Sequence, residues 1–278
     1  MLRSIKSMEG LAIGATDGDI GAIKDFYFDD LAWVIRYLVV ETQSWLSSRQ
    51  VLISPFAVNN PNWSETSLQV DVTREQVKNS PDIDTEKPVS RQHEARYLGY
   101  YGYPNYWSGV GLWGDEAYPG LMMPGAIGDE TSAEFRRVRA EHERVDAEAQ
   151  ARRHRQEDPH LRSCNAVMTY QIEATDGDIG HVEGLLIEEE TWAIRYLVVN
   201  TSNWWVGHKV IISPEWIQEV RWSDSKVRVD LSMQAIKNAP AYDSTTQLNR
   251  EQEAGVYSHY GREGYWSSQR RRFSAAPV

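Results

Sequence analysis

The sequence holds a single cysteine, Cys164. One thiol excludes a disulfide within the chain and any cysteine-built zinc or iron–sulfur centre, so a reducing compartment is expected. No stretch approaches the ~18 to 20 consecutive apolar residues that a membrane-spanning helix needs. The opening Met1-Leu2-Arg3-Ser4-Ile5-Lys6 lacks the apolar core of a secretion signal. A soluble, cytoplasmic protein without direct membrane insertion is therefore expected. Positive charge is also scarce. The formal net charge is −11, spread over the whole chain, and Arg270, Arg271 and Arg272 form the one run of three consecutive basic residues, read as a solubilising tail. A surface that coats nucleic acid or anionic lipid needs the opposite field, so nucleic acid is not an expected partner. Glycine-rich phosphate loops, a Gly-x-Ser-x-Gly elbow and zinc signatures are all missing.

Phenylalanine is rare as well, with 5 residues against 14 tyrosines and 11 tryptophans. That bias suits pleated surfaces and interfaces, because Tyr and Trp join a large apolar body to one polar handle. The strongest positive signal is an internal repeat. Ala15-Thr16-Asp17-Gly18-Asp19-Ile20-Gly21 returns as Ala174-Thr175-Asp176-Gly177-Asp178-Ile179-Gly180, and Ile35-Arg36-Tyr37-Leu38-Val39-Val40 returns as Ile194-Arg195-Tyr196-Leu197-Val198-Val199. Trp45 and Trp204, Ser54-Pro55 and Ser213-Pro214, Glu94-Ala95 and Glu253-Ala254, and Tyr106-Trp107 and Tyr265-Trp266 keep the same offset of 159. The copies align without a gap as far as Trp107 and Trp266, which marks a tandem duplication.

Each copy reads as a run of short strands. Asp17-Gly18 and Asp176-Gly177 supply hairpin chemistry, and strands are expected over 21–28, 32–42, 50–54 and 67–72. Segment 33–40 is apolar on both faces, so it should be covered on both sides. A capped helical turn over Thr73–Asn79, with Gln76 placed for a capping box, recurs as Ser232–Asn238. A second helix is expected over about 90–101 and again over about 249–260. Modules at 1–107 and 164–270 would then be joined by a linker at 108–163 and followed by a tail at 271–278. The second half of the linker, from Asp129 to Glu157, is dense in Glu, Arg and Ala and predicts a helix.

With these residues laid out, the chain resembles the PRC-barrel family, whose fold is shared by the cytoplasmic domain of the photosynthetic reaction-centre H subunit and by the C-terminal domain of a ribosome maturation factor. Thr16 to Gly21, Trp33 to Val40, Val51-Leu52-Ile53-Ser54-Pro55, Thr73 to Val77, Arg91-Gln92-His93-Glu94 and the Tyr-Gly…Tyr-Trp ending carry the resemblance. It implies a mainly β protein of two tandem, small, antiparallel β-barrels with short helical additions. It also implies an assembly or interaction role, because members act as binding modules in unrelated systems. The membrane helix of an H subunit and the extra N-terminal barrel of the ribosome factor are both lacking, so neither specific role carries over.

Little in either copy suggests chemistry. At the 159 offset no histidine is matched: His93 faces Gln252, His181 faces Ala22, His208 faces Arg49 and His259 faces Tyr100. The expectation is a non-catalytic scaffold without metal or cofactor, whose partners are proteins and whose two modules pack as a pseudo-dimer. One alternative is a ligand-binding protein or enzyme with a pocket between the barrels; another is an accessory to a reaction-centre-like electron-transfer assembly, by family analogy alone. Asp17, Asp19, Asp29 and Asp30, with Asp176, Asp178, Glu188 and Glu189, are acidic enough to gather a hard cation, but turn chemistry explains the first pair in each copy. Arg36 and Arg195 sit inside apolar strands and either anchor a carboxylate ligand or pair internally, with Asp71 and Asp230 as suggested partners. Tyr106, Trp107, Tyr265 and Trp266 either form binding surface or pack the last helix, and Trp45 and Trp204 are candidate exposed anchors.

Overall fold

A computed structural model describes residues 1–42, 44–46, 49–58, 61, 66–81, 89, 91–107, 111–114, 116, 118–122, 160–201 and 208–267. In chain order the strands and helices are β1 (Leu2–Ser4), β2 (Ala12–Ala15), β3 (Gly18–Asp29), β4 (Val34–Thr42), β5 (Gln50–Ile53), β6 (Ser67–Gln69), α1 (Arg74–Asn79) and α2 (Arg91–Tyr101). They continue with β7 (Leu161–Ser163), α3 (Cys164–Val167), β8 (Gln171–Ala174), β9 (Gly177–Glu188), β10 (Ile194–Asn200), β11 (Lys209–Ile212), β12 (Ile217–Arg221), β13 (Lys226–Val229), α4 (Met233–Lys237) and α5 (Arg250–His259). The helix expected over Asp129 to Glu157 and the tail at 271–278 lie outside the described residues.

The chain is mainly β and forms two compact units, one of Gly10–Arg162 and one of Met1–Glu9 with Ser163–Val278. The first holds a sheet in the order β5-β4-β3-β2-β6, with β7 also on β3; the second holds β11-β10-β9-β8-β13-β12, with β1 also on β9. Both sheets are mixed rather than antiparallel, because β2 runs parallel to β6 and β8 parallel to β13. The returning strand arrives beside β2 after a long connection, as a parallel neighbour must. Alternation in Leu68, Val70 and Val72 is the same for either direction, so the sequence does not report it. Among the described residues the pairing path stays open at its ends.

Backbone crowding explains one repeated glycine. A Cβ on Gly21 would lie 1.9 Å from the Glu41 carbonyl oxygen, and one on Gly180 2.0 Å from that of Asn200. Both lie where the long strand meets β4 or β10, and register shifts in these pairs bend the strands. Every residue from Val34 to Val40 is buried, as a strand apolar on both faces requires. Trp33, expected inside that strand, instead closes the preceding turn with φ +53°; Trp192 repeats it at +58°. The Asp29 carboxylate accepts from the Leu31 and Ala32 amides and the Asp29 carbonyl from the Trp33 amide at 2.7 Å, while the Trp33 ring packs 4.9 Å from Phe28. The turn holds Trp33 in the left-handed region, a conformation that local propensity alone disfavours.

The repeat also reaches further than the longer motifs indicate. Leu2-Arg3-Ser4 recurs as Leu161-Arg162-Ser163, inside the segment read as an unmatched linker. Strand β1 pairs with β9, Leu2 opposite Glu188 and Ser4 opposite Leu186, so the first nine residues fold with the second copy. In turn β7 pairs with β3 of the first copy, and the His160 carbonyl accepts from the Asp30 amide at 3.0 Å. Each copy thus takes its outer strand from the segment preceding the other.

The helices behave as their caps dictate. Thr73 and Gln76 form a reciprocal capping box on α1, and Ser232 accepts the Ala235 amide on α4. Asn249 and Gln252 form a second box on α5. Helices α2 and α5 bury Glu94, Tyr97 and Leu98, and Glu253, Val256 and Tyr257. Spacing of three and four puts a carboxylate on the apolar face of each helix.

Candidate functional site

Strand β4 directs Arg36 into the first unit, where only 2 % of it is exposed. Its guanidinium donates 2.7 Å to the Leu112 carbonyl, faces the Asp29 carboxylate at 3.7 Å, and lies 3.8 Å from the Tyr106 ring centre and 4.7 Å from that of Trp113. Aromatic faces and a carbonyl suit a weakly hydrated guanidinium. The Tyr106 hydroxyl donates to the buried Glu94 carboxylate. Trp107 packs edge-on to Tyr106 at 5.0 Å. Arg36, Tyr106 and Trp107 therefore come together, sealed by a tryptophan, Trp113, that is wholly buried.

The second unit repeats the plan with more carboxylate chemistry. Arg195 donates to Glu188 Oε2 through Nε at 3.1 Å and again through Nη2, and the Thr191 hydroxyl donates to the same oxygen at 2.6 Å. The Arg195 guanidinium lies 4.2 Å from the Tyr265 ring centre. Tyr265 and Tyr196 both donate to Glu253 Oε2, at 3.0 and 2.8 Å, while Arg250 donates to the Tyr265 hydroxyl at 2.9 Å and meets Glu253 Oε1 at 3.2 Å. Arg250 also stacks 4.5 Å from the ring centre of Trp266, which packs edge-on to Tyr265. Burial, reinforced by the Glu253 carboxylate, pushes the Tyr196 and Tyr265 phenols well above their ordinary range. They therefore remain protonated donors at neutral pH. Burial works to raise the Glu188 carboxyl, yet the Arg195 guanidinium and the Thr191 hydroxyl hold it below its ordinary value.

The internal ion pair expected for each arginine is present, but the carboxylates in contact are Asp29 and Glu188, on the neighbouring long strand. Asp230 instead pairs with Arg262 at 2.8 Å. Five of the remaining acidic residues also have local roles. Asp17 accepts the Arg74 amide and Asp176 the Met233 amide, each at 2.7 Å, docking the hairpin on the first turn of α1 and α4. Asp178 pairs with Lys226, Asp30 with Arg162 and Glu189 with Arg3. Among the described residues no three His, Cys, Asp or Glu side chains converge as metal ligands. His259 serves the backbone, bonding the Ala235 carbonyl at 2.8 Å, where its counterpart Tyr100 donates to the Gln76 carbonyl at 2.9 Å.

Trp45 lies apart from the arginine clusters. Its indole N–H donates 2.8 Å to the Ile20 carbonyl and Arg74 covers its ring at 4.3 Å, so it is half-buried and pins the hairpin. Trp204 lies outside the described residues. Sequence reasoning missed Glu94, Glu253, Arg250 and Trp113 as members of these clusters. The two glutamates were legible, since each shares a helix face with buried Tyr and Leu or Val; Trp113 has no counterpart in the other copy to flag it.

The second unit carries a hollow of about 340 Å³, lined in part by Leu2, Glu188, Leu248, Arg250, Glu253 and Tyr265. Its carboxylates are those already engaged by Thr191, Arg195, Tyr196, Tyr265 and Arg250. No helix among the described residues is long and apolar enough to cross a membrane. No protein-family model matches the chain, and no curated protein matches it.

Proposed function

We propose that this chain is a non-catalytic scaffold of the PRC-barrel type, built from two copies of one module and acting through protein–protein contacts in the soluble phase. One observation carries the reading: four pairs of polar residues that both copies keep hold their hydrogen bonds within their own unit. Arg36 and Arg195, Glu94 and Glu253, Tyr106 and Tyr265, and Asp17 and Asp176 all direct their hydrogen bonds to folding. A catalytic or ligand site needs groups held ready for something else. The Glu188 and Glu253 carboxylates beside the hollow already hold Thr191, Arg195, Tyr196 and Tyr265, which favours the interaction reading over the ligand-binding one. The barrel form itself is part of this proposal; the long, bulged β3 and β9, paired along both edges, support it.

The contact residue this reading favours is Leu31. It is 73 % exposed at the tip of the β3–β4 turn, on a backbone fixed by two hydrogen bonds to Asp29. A rigidly presented apolar side chain binds at small entropic cost. Crosslinked affinity purification from native cells, comparing wild type with Leu31→Asp, tests it. A stoichiometric protein partner lost in the variant, with thermal unfolding unchanged, is the expected result; recovery of no stoichiometric partner with either chain would refute the reading.

A further inference from the structure

We propose that the edge of β9 that holds β1 is a strand-exchange surface, through which two copies of this chain associate by trading their Leu2–Ser4 strands. This goes beyond the scaffold reading and does not depend on it. Three observations carry it. First, the Arg3 and Glu189 side chains that join β1 to the end of β9 lie 186 residues apart, so the groove is completed by a segment remote in sequence rather than by a local hairpin. Second, the same tripeptide fills the equivalent edge of β3: Leu161-Arg162-Ser163. Third, the side-chain anchors match. Arg3 bonds Glu189 at 2.8 Å and Arg162 bonds Asp30 at 2.9 Å, and two residues before each arginine the Met1 and His160 carbonyls accept the Glu189 and Asp30 amides. Both edges thus read one extended motif by backbone pairing plus one arginine–carboxylate contact, the chemistry of strand addition.

Nothing in such a groove distinguishes a chain's own β1 from that of a second copy, because every contact made is the same. What favours the intramolecular form is local concentration, about millimolar for a short tether. The chain leaves the second unit at Glu9 and enters the first at Gly10, whose φ of +81° places a glycine, the residue most tolerant of backbone rearrangement, at the crossing point. Domain swapping is the expected consequence when the intramolecular competitor is weakened.

Charge reversal weakens it selectively. In one full-length preparation, Arg3→Glu sets a carboxylate against that of Glu189; in another, Glu189→Arg sets a guanidinium against that of Arg3. Each chain then mismatches its own strand, whereas reciprocal exchange between the two preparations restores an opposite-charge pair. Light scattering of the mixture should show a 1:1 species of twice the 31.8 kDa chain mass, at concentrations about tenfold below those needed for wild type to dimerise. The chain carrying both substitutions should behave as wild type. A mixture that stays monomeric at millimolar concentration would overturn the proposal. Should either reversed chain fail to fold, two otherwise wild-type chains are used, one bearing Ser4→Cys and the other Leu186→Cys, positions that face each other across β1 and β9. They are mixed near their unfolding midpoint, cooled and oxidised. A covalent heterodimer supports exchange, and exclusively monomeric product overturns it.

Discussion

Replacing Arg36 by methionine isolates what the buried guanidinium contributes, since the flexible thioether keeps most of the packing between Tyr106 and Trp113. Three kinds of interaction vanish: the 2.7 Å bond to the Leu112 carbonyl, the 3.7 Å contact with Asp29 and the two ring contacts. Asp29 is 4 % exposed and retains its bonds from Leu31 and Ala32. Breaking one partner of a buried pair costs about 3–5 kcal/mol, and these remaining amides put the expected loss near the lower end, about 3 kcal/mol. Arg195→Met provides the internal control. Its partner Glu188 has a side chain 17 % exposed and keeps the Thr191 bond, so water can compensate and about 1–2 kcal/mol is expected. Native-state hydrogen exchange reads each unit separately, through peptides covering Val34–Thr42 and Ile194–Asn200. Arg36→Met should accelerate exchange mainly in the first peptide and Arg195→Met, more weakly, in the second. Equal losses at the two sites, or a loss under about 1 kcal/mol for Arg36→Met, would refute the claim that enclosure sets the cost. Adding Asp29→Asn to Arg36→Met should recover part of the loss, because a neutral amide no longer strands a charge.

Glu253→Leu strands two buried phenols, those of Tyr196 and Tyr265, and should cost about 3–5 kcal/mol in urea titration, whereas Glu253→Gln keeps an acceptor oxygen and should cost about 1–2 kcal/mol; equal costs would show that the phenols find other acceptors. The acid limb of stability should carry a Glu188 component. Its carboxyl is held below the ordinary 4.5, so its contribution is full above that value and is lost as pH falls through the lower folded value. Asp30 works oppositely: burial, only partly offset by Arg162 and His160, raises it above the ordinary 3.8, so stability falls as pH rises through that window. Urea midpoints measured from about pH 3 to 6 should therefore lose slope on the acid side in Glu188→Gln and lose the fall toward neutrality in Asp30→Asn; the reverse ordering would reject both assignments.

Much of each module is legible because duplication supplies an internal comparison. Hairpin glycines, the Thr73 cap and the doubly covered strand at Val34–Val40 follow from residue type and period, and they fold where those rules put them. Strand direction does not, since alternation is blind to it, and a parallel β2–β6 pair replaces the antiparallel one expected. Trp33 departs from its expected strand because the Asp29 turn imposes a backbone that tryptophan does not choose by itself. The arginine partners escape the sequence for a different reason. A strand pair brings Asp29 beside Arg36 only once the register of β3 on β4 is set, and bulges shift that register.

The two copies show how one plan tolerates different solutions. Where the first unit covers Arg36 with a carbonyl and two rings, the second holds Arg195 between Tyr265 and a Glu188 that Thr191 also bonds. Where Tyr100 reaches the end of α1, His259 reaches the same place on α4, so a histidine that a motif search would weigh as catalytic is a spacer for a backbone bond. Identity between copies therefore marks interactions that cannot be rebuilt from other residues: the Asp17 and Asp176 caps, the glycines crowded by a carbonyl, the buried glutamates, and the Leu-Arg-Ser strand that each copy receives from outside its own run of sequence. The first three are internal to a module. The fourth is kept in both copies although the strand and its acceptor lie far apart in the chain, and a requirement for interchangeable strands accounts for that identity more directly than local folding does.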